Sequence, residues 1–183
     1  MLAATAIQGF VTLTMLALPT VAPSAAADFG VAPQLVGVQV SLLYVAAATA
    51  SGLAGPVVQR WGAGTVSVAA VTGAVGGLAL LIPGSLALAL PASLMIGLAY
   101  GATNPAAALI LARHCPPERR NLVFSLKQTG VPLGGVVAGL LLPGITGWLG
   151  WQAALGVACA GGLALAFVLL PSRAVWDEGR SPV

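Results

Sequence analysis

Charge is what this sequence has least of. Its 183 residues include seven Lys and Arg, four Asp and Glu and one His, so that 6% of the chain is formally charged. A surface turned to water cannot be built from so few charges, which argues against a soluble domain. Cysteine is scarcer still. Cys115 lies in a polar loop and Cys159 in an apolar run, with no spacing for a disulfide framework or a zinc site, so both are read as free thiols. The single histidine, His114, sits in a charged loop, and no Asp or Glu falls within an apolar run. An intramembrane hydrolase needs a nucleophile and base, or a metal, inside the membrane, and the absence of His, Asp and Glu from the apolar runs argues against that alternative. No catalytic residue, metal site or cofactor is therefore assigned. Although the net charge is +3, the basic residues are scattered through short loops rather than gathered on one face, so nucleic acid is not expected as a partner.

Apolar sequence is abundant. Hydrophobic residues make up 58% of the chain, and the mean hydropathy is +1.01. They fall in six runs, Ala3–Ala22, Leu35–Val58, Thr65–Pro83, Leu86–Ala112, Leu122–Pro143 and Trp151–Leu170. Each approximates the roughly 20 residues that a helix needs to cross a hydrocarbon core about 30 Å thick. The expectation is an all-α protein of the cell membrane, with a six-helix bundle over residues 1–170 and a cytoplasmic tail, or the start of a central loop, over 171–183.

The few charges fix an orientation. Arg60 follows the second run, Arg113, His114, Glu118, Arg119 and Arg120 follow the fourth, and Arg173 and Arg180 follow the sixth, whereas the other connections contain no Lys or Arg. Bases in alternate short loops predict that both termini are cytoplasmic. Trp148 and Trp151 are then expected among the outer headgroups and Trp61 among the inner ones. A competing reading takes Ser24 to Ala27 as a signal-peptidase site. No positive segment precedes the apolar run, however, and losing that helix spoils the charge alternation.

Polar residues inside lipid are costly unless they face protein or a watery cavity. Thr5, Gln8 and Thr12 follow helical spacing in the first span, with Met15 and Pro19 continuing the stripe. Gly37, Ser41, Tyr44, Ala48, Ser51 and Gly55 do so in the second. The fourth carries Ser93, Gly97, Tyr100, Asn104 and Ala108, and the fifth Asn121, Ser125, Gln128, Thr129 and Pro132. Spans three and six have little comparable and suit lipid or peripheral packing. Span n thus behaves like span n+3, the pattern of two three-helix repeats of inverted topology with their stripes turned to a shared interior. For any single Ser or Thr, bonding one helix to another is the simpler reading. Glycines four apart, at Gly73 and Gly77, Gly97 and Gly101, Gly130 and Gly134, and Gly135 and Gly139, are read as packing sites, and Pro105 and Pro132 as kinks.

Lys127 is the only ionisable residue inside a span. It lies roughly 10 Å along the helix from Arg120, within snorkelling reach of the cytoplasmic headgroups, and points about 160° away from Ser125 and Thr129. If it faces inward, a cation with no intramembrane carboxylate favours an anionic solute. Gln8, Thr12, Tyr44, Tyr100, Asn104, Lys127 and Gln128 are the candidate solute-binding residues.

The loop Gly55-Pro56-Val57-Val58-Gln59-Arg60-Trp61-Gly62-Ala63-Gly64 resembles the signature loop of the major facilitator superfamily, in which a Gly precedes an Asp-Arg-x-Gly-Arg core. Gly55, Arg60 and Gly62 match, while Gln59 stands where the family usually has Asp and Ala63 where it has a base. Ser125 to Gly135 is similar to the Gly- and Pro-rich fifth helix of bacterial members. The resemblance covers essentially the whole chain. It implies the amino-terminal bundle of a twelve-helix transporter, a conformational loop at Gly55, Gln59, Arg60 and Gly62, and a solute held between two bundles near the midplane.

Transport of a small solute by alternating access is the leading expectation, with the bilayer and a second six-helix bundle as partners. That bundle is a missing half, a separate chain or a second copy. A small channel or a helical assembly factor remains the alternative, although no filter-like polar ring or large soluble face is visible. The orientation is directly testable. A thiol probe that cannot cross the membrane should leave Cys115 unlabelled in intact cells and label it after permeabilisation, whereas labelling in intact cells inverts the topology.

Overall fold

The computed structural model describes residues 1–178. They form eight α-helices, α1 (Leu2–Thr20), α2 (Ala22–Phe29), α3 (Val36–Trp61), α4 (Ala63–Leu81), α5 (Leu86–His114), α6 (Arg120–Gln128), α7 (Gly130–Leu149) and α8 (Trp151–Asp177). Six helical segments are long and apolar enough to cross a membrane, with α6 and α7 counting together as one. The chain is an all-α membrane protein of six spans, as expected.

Three details depart from the apolar runs. Residues beyond Val21, inside or just past the first run, form the short helix α2. The fifth span is broken at Thr129. Pro132 has no N–H to give the Gln128 carbonyl, so the helical ladder is interrupted there. The last helix continues past Leu170 and through Pro171 to Asp177, while Arg180 lies outside the described residues.

Two of the turns between spans consist of one glycine each. Gly62, between α3 and α4, has φ 92° and ψ 148°, and Gly150, between α7 and α8, has φ 86° and ψ 160°. This region of backbone space is essentially closed to residues with a Cβ. One glycine can reverse the chain within a single residue, so the flanking spans pack with no loop between them.

Apolar burial holds helices together weakly inside lipid, so the spans depend on close contact. α3 lies along α5, α4 packs between α5 and α8, and α1 lies along α7. Two of these contacts are built alike. A Cβ on Gly97 or Gly101 of α5 would strike the carbonyl of Leu43 or Ala47 of α3, and one on Gly130 or Gly134 of α7 would strike the carbonyl of Thr5 or Gly9 of α1. Gly77 is similarly closed in by Ile96. Gly139, by contrast, has open space beside it and Gly73 only an ordinary contact, so these two do not act as packing sites.

α1 is integral to this core. Val11 packs with Ala70, Ala74 and Ala99, and Ile7 with Val71 and Leu169. The third span is no peripheral helix within this bundle, since α4 is as enclosed as α1, whereas α3 and the fifth span are the most open. Trp148 is 90% exposed, as an interfacial anchor should be. Trp151 instead turns inward, where its Nε1 donates to Asp28 Oδ2 at 2.7 Å and its ring meets Phe29 edge-on. Asp28 also accepts from Gln152 Nε2 at 2.9 Å, so α2 is clasped to the start of α8.

These contacts separate glycines that pack from glycines that do not. Gly134→Val should lower the stability of the detergent-solubilised protein by about 1–3 kcal/mol through overpacking. Gly139→Val on the same helix should change it by less than about 0.5 kcal/mol. Equal losses in the two melting curves would contradict the packing assignment.

Candidate functional site

Lys127 is 1% exposed, although it is the one lysine of the chain. Its stem runs from α6 into the bundle, not out to the headgroups, so it does not snorkel. Ser125 and Thr129 on the opposite side of the same segment are exposed, as the helical angle between them requires. The Lys127 ammonium donates to Asn104 Oδ1 on α5 and, at 2.9 Å, to Gln128 Oε1. The Phe124 ring centroid lies 5.6 Å away. Both acceptors are neutral amides. Among the described residues the one ion pair is between Arg173 and Asp177, at the far end of α8. A buried cation held only by dipoles carries a desolvation cost that a neighbouring anion would offset.

One helical turn from this cluster lies a second polar group. Tyr100 on α5 is half-buried, and its hydroxyl is close to Thr12 of α1 and Tyr44 of α3. Because α1 and α5 run in opposite directions, Gln8 and Asn104 share one level and Thr12 and Tyr100 the next, a helical pitch of about 5.4 Å away. The Thr12 hydroxyl donates to the Gln8 carbonyl at 2.8 Å. The Gln8 side chain is itself 1% exposed, and neither its Nε2 nor its Oε1 has a partner. Six of the seven expected solute-binding residues thus belong to two adjacent levels, with Tyr44, 55% exposed, at the margin.

The expected conformational loop is distributed differently. Gln59 and Arg60 are exposed at the end of α3, and Gly55 lies within that helix with open space beside it. Gly62 makes the turn and faces Asp177, a residue that the sequence reading passed over. Asp177 Oδ1 accepts from the Gly64 N–H at 2.7 Å, and Oδ2 accepts from the Thr65 N–H at 3.1 Å and from its hydroxyl at 2.6 Å. Arg173 Nε donates to Thr65 Oγ1 at 2.9 Å. A carboxylate from the end of α8 thereby caps the amino terminus of α4, where free N–H groups and the helix dipole favour negative charge. Nothing in the sequence signals this partnership, since Asp177 and Thr65 are 112 residues apart.

The six-span bundle thus holds a buried cation beside a buried, unpaired carboxamide. The family model of the major facilitator superfamily matches residues 2–183. The chain belongs to the major facilitator superfamily. Among curated proteins, a gallate transporter of Pseudomonas putida is 31% identical over 152 residues, covering 82% of this chain and 33% of that protein. The chain therefore spans about a third of the length of this relative. Among solved structures, a mutant of the peptide transporter POT in complex with sulfate superposes with a TM-score of 0.75 at 21% identity, covering 98% of this chain and 39% of the other. That likeness concerns the fold alone.

In this major facilitator bundle the Asp177 cap and the Gly62 turn form one unit. Asp177→Ala should destabilise the protein by about 1–2 kcal/mol, through loss of the cap. Gly62→Ala should cost about 1–3 kcal/mol, because a Cβ there meets the Asp177 carboxylate and strains the backbone. The two losses should not add in the double variant, since removing the carboxylate removes the clash. Strict additivity in thermal melts would show that the two residues act independently.

Proposed function

We propose that this chain is one half of a secondary transporter, which moves a small organic anion by alternating access and needs a second six-helix bundle to close its open side. The observation that carries the anion reading is the burial of Lys127 among neutral acceptors only. A carboxylate of the solute would supply the counter-charge that the spans lack. Gallate, the solute named for the curated relative, carries such a carboxylate.

The second bundle is supported by what the first leaves uncovered. Gly37, Ser41, Tyr44, Ala48 and Ser51 line an exposed stripe on α3, and Ser125 and Thr129 lie exposed on the fifth span. Small and polar residues in rows face lipid at a cost, but they suit a sliding contact with another bundle. The missing half of a longer polypeptide, a separate chain or a second copy would each serve.

An inverted repeat within the bundle has similar support. The single-glycine turns at Gly62 and Gly150 join spans two to three and five to six, and the glycine-on-carbonyl contacts join spans four to two and five to one. Each set is exchanged by the step from n to n+3. With both termini cytoplasmic, the Gly62 turn and the Asp177 cap lie at the inner face and the Asp28 clasp at the outer.

The test is Lys127→Gln in the assembled transporter, with uptake of gallate into proteoliposomes normalised to folded protein. Charge-assisted hydrogen bonds are worth about 1.5–3 kcal/mol, so affinity or rate should fall roughly 10- to 100-fold. Unchanged affinity and rate would refute the role of Lys127.

A further inference from the structure

Buried neutral side chains in this bundle follow one rule, and Gln8 breaks it. The hydroxyls of Thr12, Thr14, Ser67, Ser93 and Thr103 each donate to a carbonyl three or four residues back in their own helix. Gln8 is equally buried, yet among the described residues it is the one side chain with both a buried donor and a buried acceptor unpaired. Buried donors and acceptors in folded proteins are almost always paired, so this unpaired carboxamide implies an occupant.

The direction of the side chain follows from its neighbours on α1. The Thr5 and Gly9 carbonyls and the Thr12 Cβ meet the α7 glycines, whereas Val11 packs on Ala99 of α5. At about 100° per residue, position 8 falls between these two directions. The carboxamide therefore points into the angle between α5 and the fifth span, where Lys127 reaches across to Asn104. The Gln8 Cβ also abuts Gly130, one turn of the fifth span beyond Lys127.

We infer that Gln8 is a specificity-determining residue that pairs with a hydroxyl of the transported anion, so that the site selects hydroxylated organic anions over their dehydroxy analogues. The inference rests on the anion reading of Lys127. A carboxamide offers both N–H donors and a carbonyl acceptor, so it can pair with a hydroxyl, itself both donor and acceptor, through either group. The negative charge is already met by Lys127, so Gln8 is left for a neutral group. A site built to bond a hydroxyl rejects the analogue lacking it, because its own polar atoms are then stranded.

The experiment compares uptake of matched carboxylates, 4-hydroxybenzoate with benzoate and lactate with propionate, by the assembled transporter and its Gln8→Met and Gln8→Glu variants at equal amounts of folded protein. In the unaltered protein the hydroxylated member of at least one pair should be preferred roughly tenfold or more. Gln8→Met, close in volume, should abolish that preference, so that the hydroxylated member of the pair is taken up no better than the plain carboxylate. Gln8→Glu places a carboxylate beside the anion site and should suppress both members of the pair. A preference that survives Gln8→Met, above all in a variant with a raised melting temperature, would overturn the inference and reduce Gln8 to a buried residue held by water. Normal uptake by Gln8→Glu would overturn it as well, by removing Gln8 from the neighbourhood of the anion. If the unaltered protein takes up none of these anions, or if Lys127→Gln leaves their uptake intact, the anion reading falls and this inference with it.

Discussion

The contact between bare glycine and a neighbouring carbonyl is the constraint on which this bundle rests. In lipid no water penalises separated apolar side chains, so helices stay together where their backbones approach closely. Gly130 and Gly134 bring the fifth span onto α1, and Gly97 and Gly101 bring α5 onto α3. The first of these crossings sits directly beside Lys127 and Gln8. The polar cluster is thus positioned by small residues that carry no chemistry of their own, and a side chain at Gly130 would separate the two walls of the site before altering any charge.

Charge is used sparingly and at defined places. Two carboxylates hold helix beginnings, Asp177 on the N–H groups of α4 and Asp28 on the side chains of Trp151 and Gln152 at the start of α8. Both of those helices follow a single-residue glycine turn. The acids therefore serve the frame and leave Lys127 with amide acceptors alone. A salt bridge within the bundle would satisfy the ammonium fully, whereas two neutral dipoles satisfy it only in part.

Much of this was legible in the sequence, for physical reasons. Lipid imposes length and apolarity on every span, so six runs in the sequence became six crossings. Helical periodicity alone separated Lys127 from Ser125 and Thr129 and placed Tyr100 above Asn104. Periodicity could not say which of the two faces of the fifth span turns inward, because that depends on where α1 and α5 stand. Nor could it find the Asp177 cap, whose partners are distant in sequence, or foresee that Trp151 would bond Asp28 rather than a headgroup. Gly139 and Gly134 look alike in a four-residue pattern, and only the position of α1 distinguishes them.

The central claim is that a solute carboxylate completes the charge of Lys127. It is tested most directly by the internuclear distance between the Nζ of ¹⁵N-labelled Lys127 and a ¹³C-labelled gallate carboxyl carbon, measured by solid-state NMR in the assembled transporter. A dipolar coupling corresponding to roughly 4 Å, ion-pair range, is the predicted result. Saturating gallate binding with no measurable coupling to Lys127 would contradict it.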